Sequence, residues 1–235
     1  MEKENLNVLK ERLENLGFGR ELFGELERHV SLGKKEFQLQ KDLMVNRDHE
    51  PQADPMQVFV HVFKTPEDRY DLIYMATLPD AKDPAKNKNQ IFYPAEDGIT
   101  LKEGYNLLQG RAVYKPVRAE RGDPEKAWLQ LDFAERNGEG SYHVRQYGKE
   151  YDFDLEKALE RFSIRELYDP LEKEDLIRNL ERGNREPVTL QFGNELQRVS
   201  VEANPRYKTI SIRPEYTFIQ KMDVALERLR QSQGL

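Results

Sequence analysis

The sequence predicts an α+β protein built from three consecutive helix-plus-three-stranded antiparallel meander units, packed into one or two domains. Three observations carry that expectation. Helical patterns end three times on a glycine followed by charged residues and a strand pattern, in SLGKKEFQLQ, LQGRAVYK and ERGNREPVTLQF. Each exit is followed by two further strand patterns, the last containing RYDLIYM, SYHVRQY or RYKTISI with a tyrosine near its start. Neither parallel crossovers nor the Gly-rich first loop of a βαβ nucleotide-binding unit is present.

Taken in order, Leu6, Leu9, Leu13 and Leu16 fall at helical spacing before Gly17, and Leu22, Phe23, Leu26 and Val30 do so before Gly33. Phe37 and Leu39 alternate with Gln38 and Gln40, the pattern of a half-buried strand. After a polar loop over 46–55 comes a strand over 56–63, whose valines alternate with Phe59, His61 and Phe63, so that both faces are expected to be covered. A turn at Pro66 leads to a third strand over 70–78, and PDAKDPAKNKNQ reads as the most mobile loop. The next helix has written ends: Thr100 and Glu103 make a capping box, and Gly110 supplies the stop. Strands are expected over 111–117, 127–133 and 141–147. Asp152 or Asp154 caps a helix, Ser163 and Glu166 repeat the capping-box spacing, and Asp169 with Pro170 opens a helix that stops at Gly183. Strands over 187–192, 196–202 and 207–213 follow, and Phe218, Ile219, Met222, Leu226 and Leu229 predict a closing helix. The expected division is 1–97 (N-terminal helices, first meander and mobile loop), 98–168 (central capped helix, second meander and helix) and 169–235 (helix, third meander and closing helix).

Composition narrows the functional classes. Of 235 residues, 37% are hydrophobic and 34% charged, so thin layers with a densely charged surface are expected. With no cysteine, disulfides, thiolate metal sites and cysteine nucleophiles are excluded. The charged N-terminus lacks the form of a signal peptide and no window of eighteen apolar residues occurs, so the expected setting is cytoplasmic, away from membranes. A net charge of −6 argues against strong unassisted nucleic-acid binding, which depends on phosphate neutralisation.

No catalytic constellation is written in the chain, and neither a metal nor a cofactor is expected. No two of His29, His49, His61 and His143 stand at i, i+3 or i, i+4. A carboxylate-rich loop of His49, Glu50 and Asp54 is better read as solvated, and Asp152 with Asp154 as caps. The serines lack a GxSxG context. One local feature stands out: 98–149 holds nine Lys and Arg against seven Asp and Glu. Arg111, Lys115, Arg118, Arg121 and Arg145, with Tyr114, Trp128 and Tyr147, form a candidate basic and aromatic sheet face of the kind that stacks bases and contacts phosphates. The competing reading makes them solvated strand positions with the aromatics in the core.

The stretches GITLKEGYNLLQGRAVYK, AWLQLDF, YGKEYDFDLEKALERFSIREL, LERGNREPVTLQF and VEANPRYKTISI resemble an uncharacterised domain-of-unknown-function family of Bacteroidota, associated with conjugative transposons and other mobile elements. The resemblance implies a setting of DNA transfer, replication or conflict with host defence, and carries no catalytic residues. The expected function is a non-enzymatic protein–protein interaction module. A nucleic-acid-binding accessory protein using Arg111, Lys115, Arg118, Arg121, Trp128 and Arg145, or an anti-defence factor, is the alternative. A hydrolase or metal-dependent enzyme ranks third.

Overall fold

In the computed structural model, residues 2–117, 125–193 and 195–214 are described; the expected closing helix falls outside them. They form five helices and ten strands, and every strand pairing is antiparallel.

Two helices, α1 (Glu2–Asn15) and α2 (Phe23–Ser31), precede the meander β1 (Glu36–Asn46), β2 (Ala53–Lys64), β3 (Tyr70–Leu78) and β4 (Lys88–Phe92). The fourth strand corrects the loop reading of this stretch. Its pattern is too polar to announce a strand, yet Gln90 and Phe92 are buried, because each finds a distant partner. Phe92 stacks on Tyr74 at 5.0 Å, and the Gln90 Oε1 accepts a hydrogen bond of 2.8 Å from the Tyr142 backbone N–H. Strand β2 is also less covered than expected: Met56, Val58, Val60 and Val62 are buried, while Phe59, His61 and Phe63 are half-buried.

Helix α3 (Leu101–Leu108) keeps its capping box, Thr100 accepting from the Glu103 N–H and Glu103 from the Thr100 N–H. It leads to β5 (Val113–Val117), β6 (Glu125–Arg136) and β7 (Tyr142–Tyr147), with a register shift between Asp132 and Arg136. After α4 (Leu155–Glu160) and α5 (Pro170–Glu181) come β8 (Glu186–Phe192), β9 (Glu195–Asn204) and β10 (Thr209–Pro214). Asp154 caps α4 and Asp169 caps α5, with Pro170 in its first turn. Asp152 instead takes a left-handed conformation, φ 56°, after a short turn. The capping box expected at Ser163 is absent. The Glu166 carboxylate accepts from the Thr189 N–H at 2.9 Å and ties this segment to the edge of β8.

The three glycine stops are real. Gly33, Gly110 and Gly183 have φ of 66°, 85° and 77°, the left-handed region in which a Cβ is disfavoured. The units do not each have a core, however. Leu129 and Leu131 of β6 join a first core with α1, α2, α3 and the β1–β4 sheet, whereas Trp128 joins a second with α4, α5 and the β8–β10 sheet. Because successive side chains of a strand point to opposite faces, the β5–β7 sheet is the partition between two cores.

Candidate functional site

The expected basic and aromatic face divides across this partition. Tyr114, Trp128 and Tyr147 are register partners on neighbouring strands and line one face. Lys115, one residue on from Tyr114, turns to the opposite face, where its Nζ lies 2.9 Å from the Glu103 carboxylate. Arg111 precedes β5 and is buried in an ion pair with Asp48. Arg145 shares the Trp128 face, with its Nε held 2.6 Å from Asp132. Trp128 is 3% exposed. Arg118 and Arg121 lie outside the described residues.

What the aromatic row does line is a groove of about 610 Å³ between the β5–β7 sheet, the entry to α4 and the end of α5. Tyr114 packs 5.1 Å from Trp128, and Phe153, carried in by the turn before α4, meets Trp128 edge-on at 5.4 Å. Ile177 and Glu181, one helical turn apart on α5, close the other side.

The charge of the groove is opposite to that expected of the face. Glu125, Asp152, Asp154, Glu156 and Glu181 line it against Lys126 and Lys149; of these five carboxylates Asp154 pairs with Lys157 at 3.2 Å and Glu156 with Lys173 at 2.8 Å, while Glu125, Asp152 and Glu181 hold no ion pair among the described residues. Asp154 is occupied as a cap, and its carboxyl is held below its ordinary value first by the Lys157 N–H. Glu181 differs: among the described residues no hydrogen bond or ion pair reaches its half-buried carboxylate. Burial pushes its pKa up, only partly offset by the charge of Lys126. Burial, aided by the Glu181 charge, likewise raises the Tyr114 hydroxyl. On the same wall, the Tyr147 hydroxyl is buried without a hydrogen-bond partner among the described residues.

A second polar cavity, of about 230 Å³, lies where the β1–β2 loop, α3 and the α5–β8 turn meet, and Arg47, Arg111 and Arg185 face Asp48 and Glu50 there. Every carboxylate is matched. Asp48 pairs with Arg111 and, at 2.6 Å, Lys102; Glu50 bridges Arg185 at 2.8 Å and Arg47 at 3.6 Å. Asp54 takes Arg47 at 2.6 Å and the Tyr105 hydroxyl at 2.7 Å. Burial works to raise the Asp48 and Asp54 carboxyls, but these cations and hydrogen bonds outweigh it and hold both below their ordinary range. The self-compensated charge makes this junction a clasp between the two cores. Here both acids of the His49, Glu50 and Asp54 loop are taken by arginines, and no group of three His, Asp or Glu that could hold a metal ion occurs among the described residues.

Sequence reasoning missed Glu181 and Lys126. Glu181 reads as the solvated last turn of a helix, and only the packing of α5 against β5 withdraws it from water. The signal within reach was Phe153, an aromatic between two acids immediately before a helix. No helix among the described residues is long and apolar enough to cross a membrane. No protein-family model, curated protein or solved structure matches the chain.

Proposed function

We propose that the chain is a non-enzymatic binding module that takes a basic segment of another protein into the groove between the β5–β7 sheet and α5. The observation that supports this most is the combination of an aromatic floor of Tyr114, Trp128 and Phe153 with the carboxylates of Glu125, Asp152 and Glu181, which hold no ion pair among the described residues, beside two lysines. Aromatic faces attract cations, carboxylates pair with them, and the field of an acidic cleft steers a basic partner into place. The nucleic-acid reading has less support, because Arg111, Lys115 and Arg145 each already hold a carboxylate and carboxylates outnumber ammonium groups along the groove. A mobile-element setting belongs to the same proposal, since proteins that handle DNA carry Lys- and Arg-rich segments for phosphate contacts.

Trp128 is the only tryptophan of the chain and lies in the groove floor, so its emission reports occupancy directly. A synthetic peptide alternating lysine and glycine should change that emission saturably at about 150 mM salt, where long-range steering is largely screened. A glutamine-and-glycine peptide and a single-stranded DNA oligonucleotide should not. Silence with the lysine peptide, or a response to DNA alone, overturns the proposal.

A further inference from the structure

One ammonium group already stands on the groove floor. The Nζ of Lys126 lies 5.4 Å from the centroid of the Tyr114 ring, within the range of a cation–π contact. Its residue is exposed, at the start of β6, and no carboxylate lies within ion-pair distance of it among the described residues. Glu181 lies close enough to sense both groups, since its charge acts on Tyr114 and the charge of Lys126 acts on it, yet no ion pair forms between the two. Among the described residues, a ring face thus holds a cation without an ion-paired anion, beside a half-buried anion without an ion-paired cation.

We propose that Lys126 is a built-in competitor, occupying over Tyr114 the place that one basic side chain of the bound segment takes, and that Glu181 is the carboxylate with which the incoming cation pairs. This deepens the groove reading and rests on it. The Lys126 stem is flexible and exposed, so its head swings into water at small cost, whereas the incoming cation gains both the ring and the carboxylate. The exchange is specific to Lys126: Lys149 also lines the groove, but it stands over no ring among the described residues.

Three substitutions separate this exchange from general acidity of the groove, each read as the dissociation constant of the lysine-and-glycine peptide followed by Trp128 emission. Lys126→Gln should bind about fivefold tighter than the unsubstituted chain, the gain expected on removing a competing cation–π contact. Lys149→Gln, which removes the same charge from the same groove, should gain about twofold at most. Glu181→Gln should weaken binding about tenfold, as for loss of the carboxylate of a partly buried pair. Equal gains for the two lysine substitutions, no gain for Lys126→Gln, or unaltered binding by Glu181→Gln would each overturn the competitor role while leaving the groove as a basic-peptide site. A lysine peptide that fails to bind the unsubstituted chain sinks both readings together. Lys126 and Lys149 are exposed, so neither substitution threatens the fold.

Discussion

Asp48 and Arg111 stand 63 positions apart in the chain and meet as a buried ion pair, with side chains 10% and 7% exposed. The pair joins the β1–β2 loop to the exit of α3, and through the Arg185 backbone N–H, 3.1 Å from Asp48, to the turn that opens the third sheet. One carboxylate therefore fixes three segments, and with them the relation between the two cores. Asp48→Ala strands the Arg111 guanidinium in a buried site, so it should lower unfolding stability by about 3–5 kcal/mol. Lys102, the more exposed partner, should cost under about 1 kcal/mol on conversion to Met. Urea unfolding of the two variants reads the contrast.

The same clasp sets an acid limit. Because Asp48 and Asp54 have folded-state pKa values below their ordinary ones, their stabilisation is present above about pH 3.9 and is lost as pH falls through the lowered values. Thermal unfolding followed downward from pH 6 should show a midpoint that falls steeply below about pH 4. In Asp48→Asn that steep part should be shallower.

Glu181 has the opposite sign. Its raised pKa means that its favourable contribution is complete below the ordinary glutamate value of about 4.3 and is lost as pH rises through the raised value. Glu181→Gln should therefore be more stable than the unsubstituted chain at pH 7, on the order of 0.5 kcal/mol once solvent screening is allowed for. The two should coincide at pH 4. A substitution that stabilises the fold and weakens peptide binding is the mark of a carboxylate kept for recognition.

Gly33 and Gly183 end equivalent helices, but only one is closely packed. A Cβ at Gly183 would lie 2.8 Å from the Ala112 carbonyl oxygen and 2.8 Å from Val113 Cγ1, whereas at Gly33 it meets open space. Gly33→Ala should cost about 1–2 kcal/mol from backbone strain alone. Gly183→Ala adds overpacking against α3 and β5 and should cost roughly 3 kcal/mol or more. Equal losses in chemical denaturation would contradict the close approach.

Gln90 is the polar seam between the first two sheets. Gln90→Ala removes the acceptor for the Tyr142 N–H and should cost about 1–3 kcal/mol, the penalty for an unpaired buried donor. Hydrogen exchange of the Tyr142 amide should accelerate in the same variant, and an unchanged rate would show that another group shields it.

Local signals in the sequence identified what is locally determined. The Thr100–Glu103 box, the Asp169–Pro170 start and the three glycine exits depend on backbone groups within a few residues, and all are present. Strand β4 was hidden because its burial depends on Tyr142 and Tyr74, far along the chain. The Ser163–Glu166 spacing misled for the same reason, since the Thr189 N–H outcompetes the local one. Which aromatics share a face with which charges is set by register: Tyr114 and Lys115 are adjacent in sequence but serve different cores, and Glu181 arrives in the groove from α5, which no strand pattern announces.

Whether the groove beneath α5 is the binding surface is decided by nitrogen-15 chemical-shift mapping of the full chain with the lysine-and-glycine peptide. Shifts are expected at the Trp128 indole N–H, at the backbone amides of Lys126 and Tyr147, and along α5 near Ile177 and Glu181, with the Arg111–Asp48 clasp and the Lys115 face unmoved. Shifts centred on the clasp or on the Lys115 face, or none at all, would contradict it.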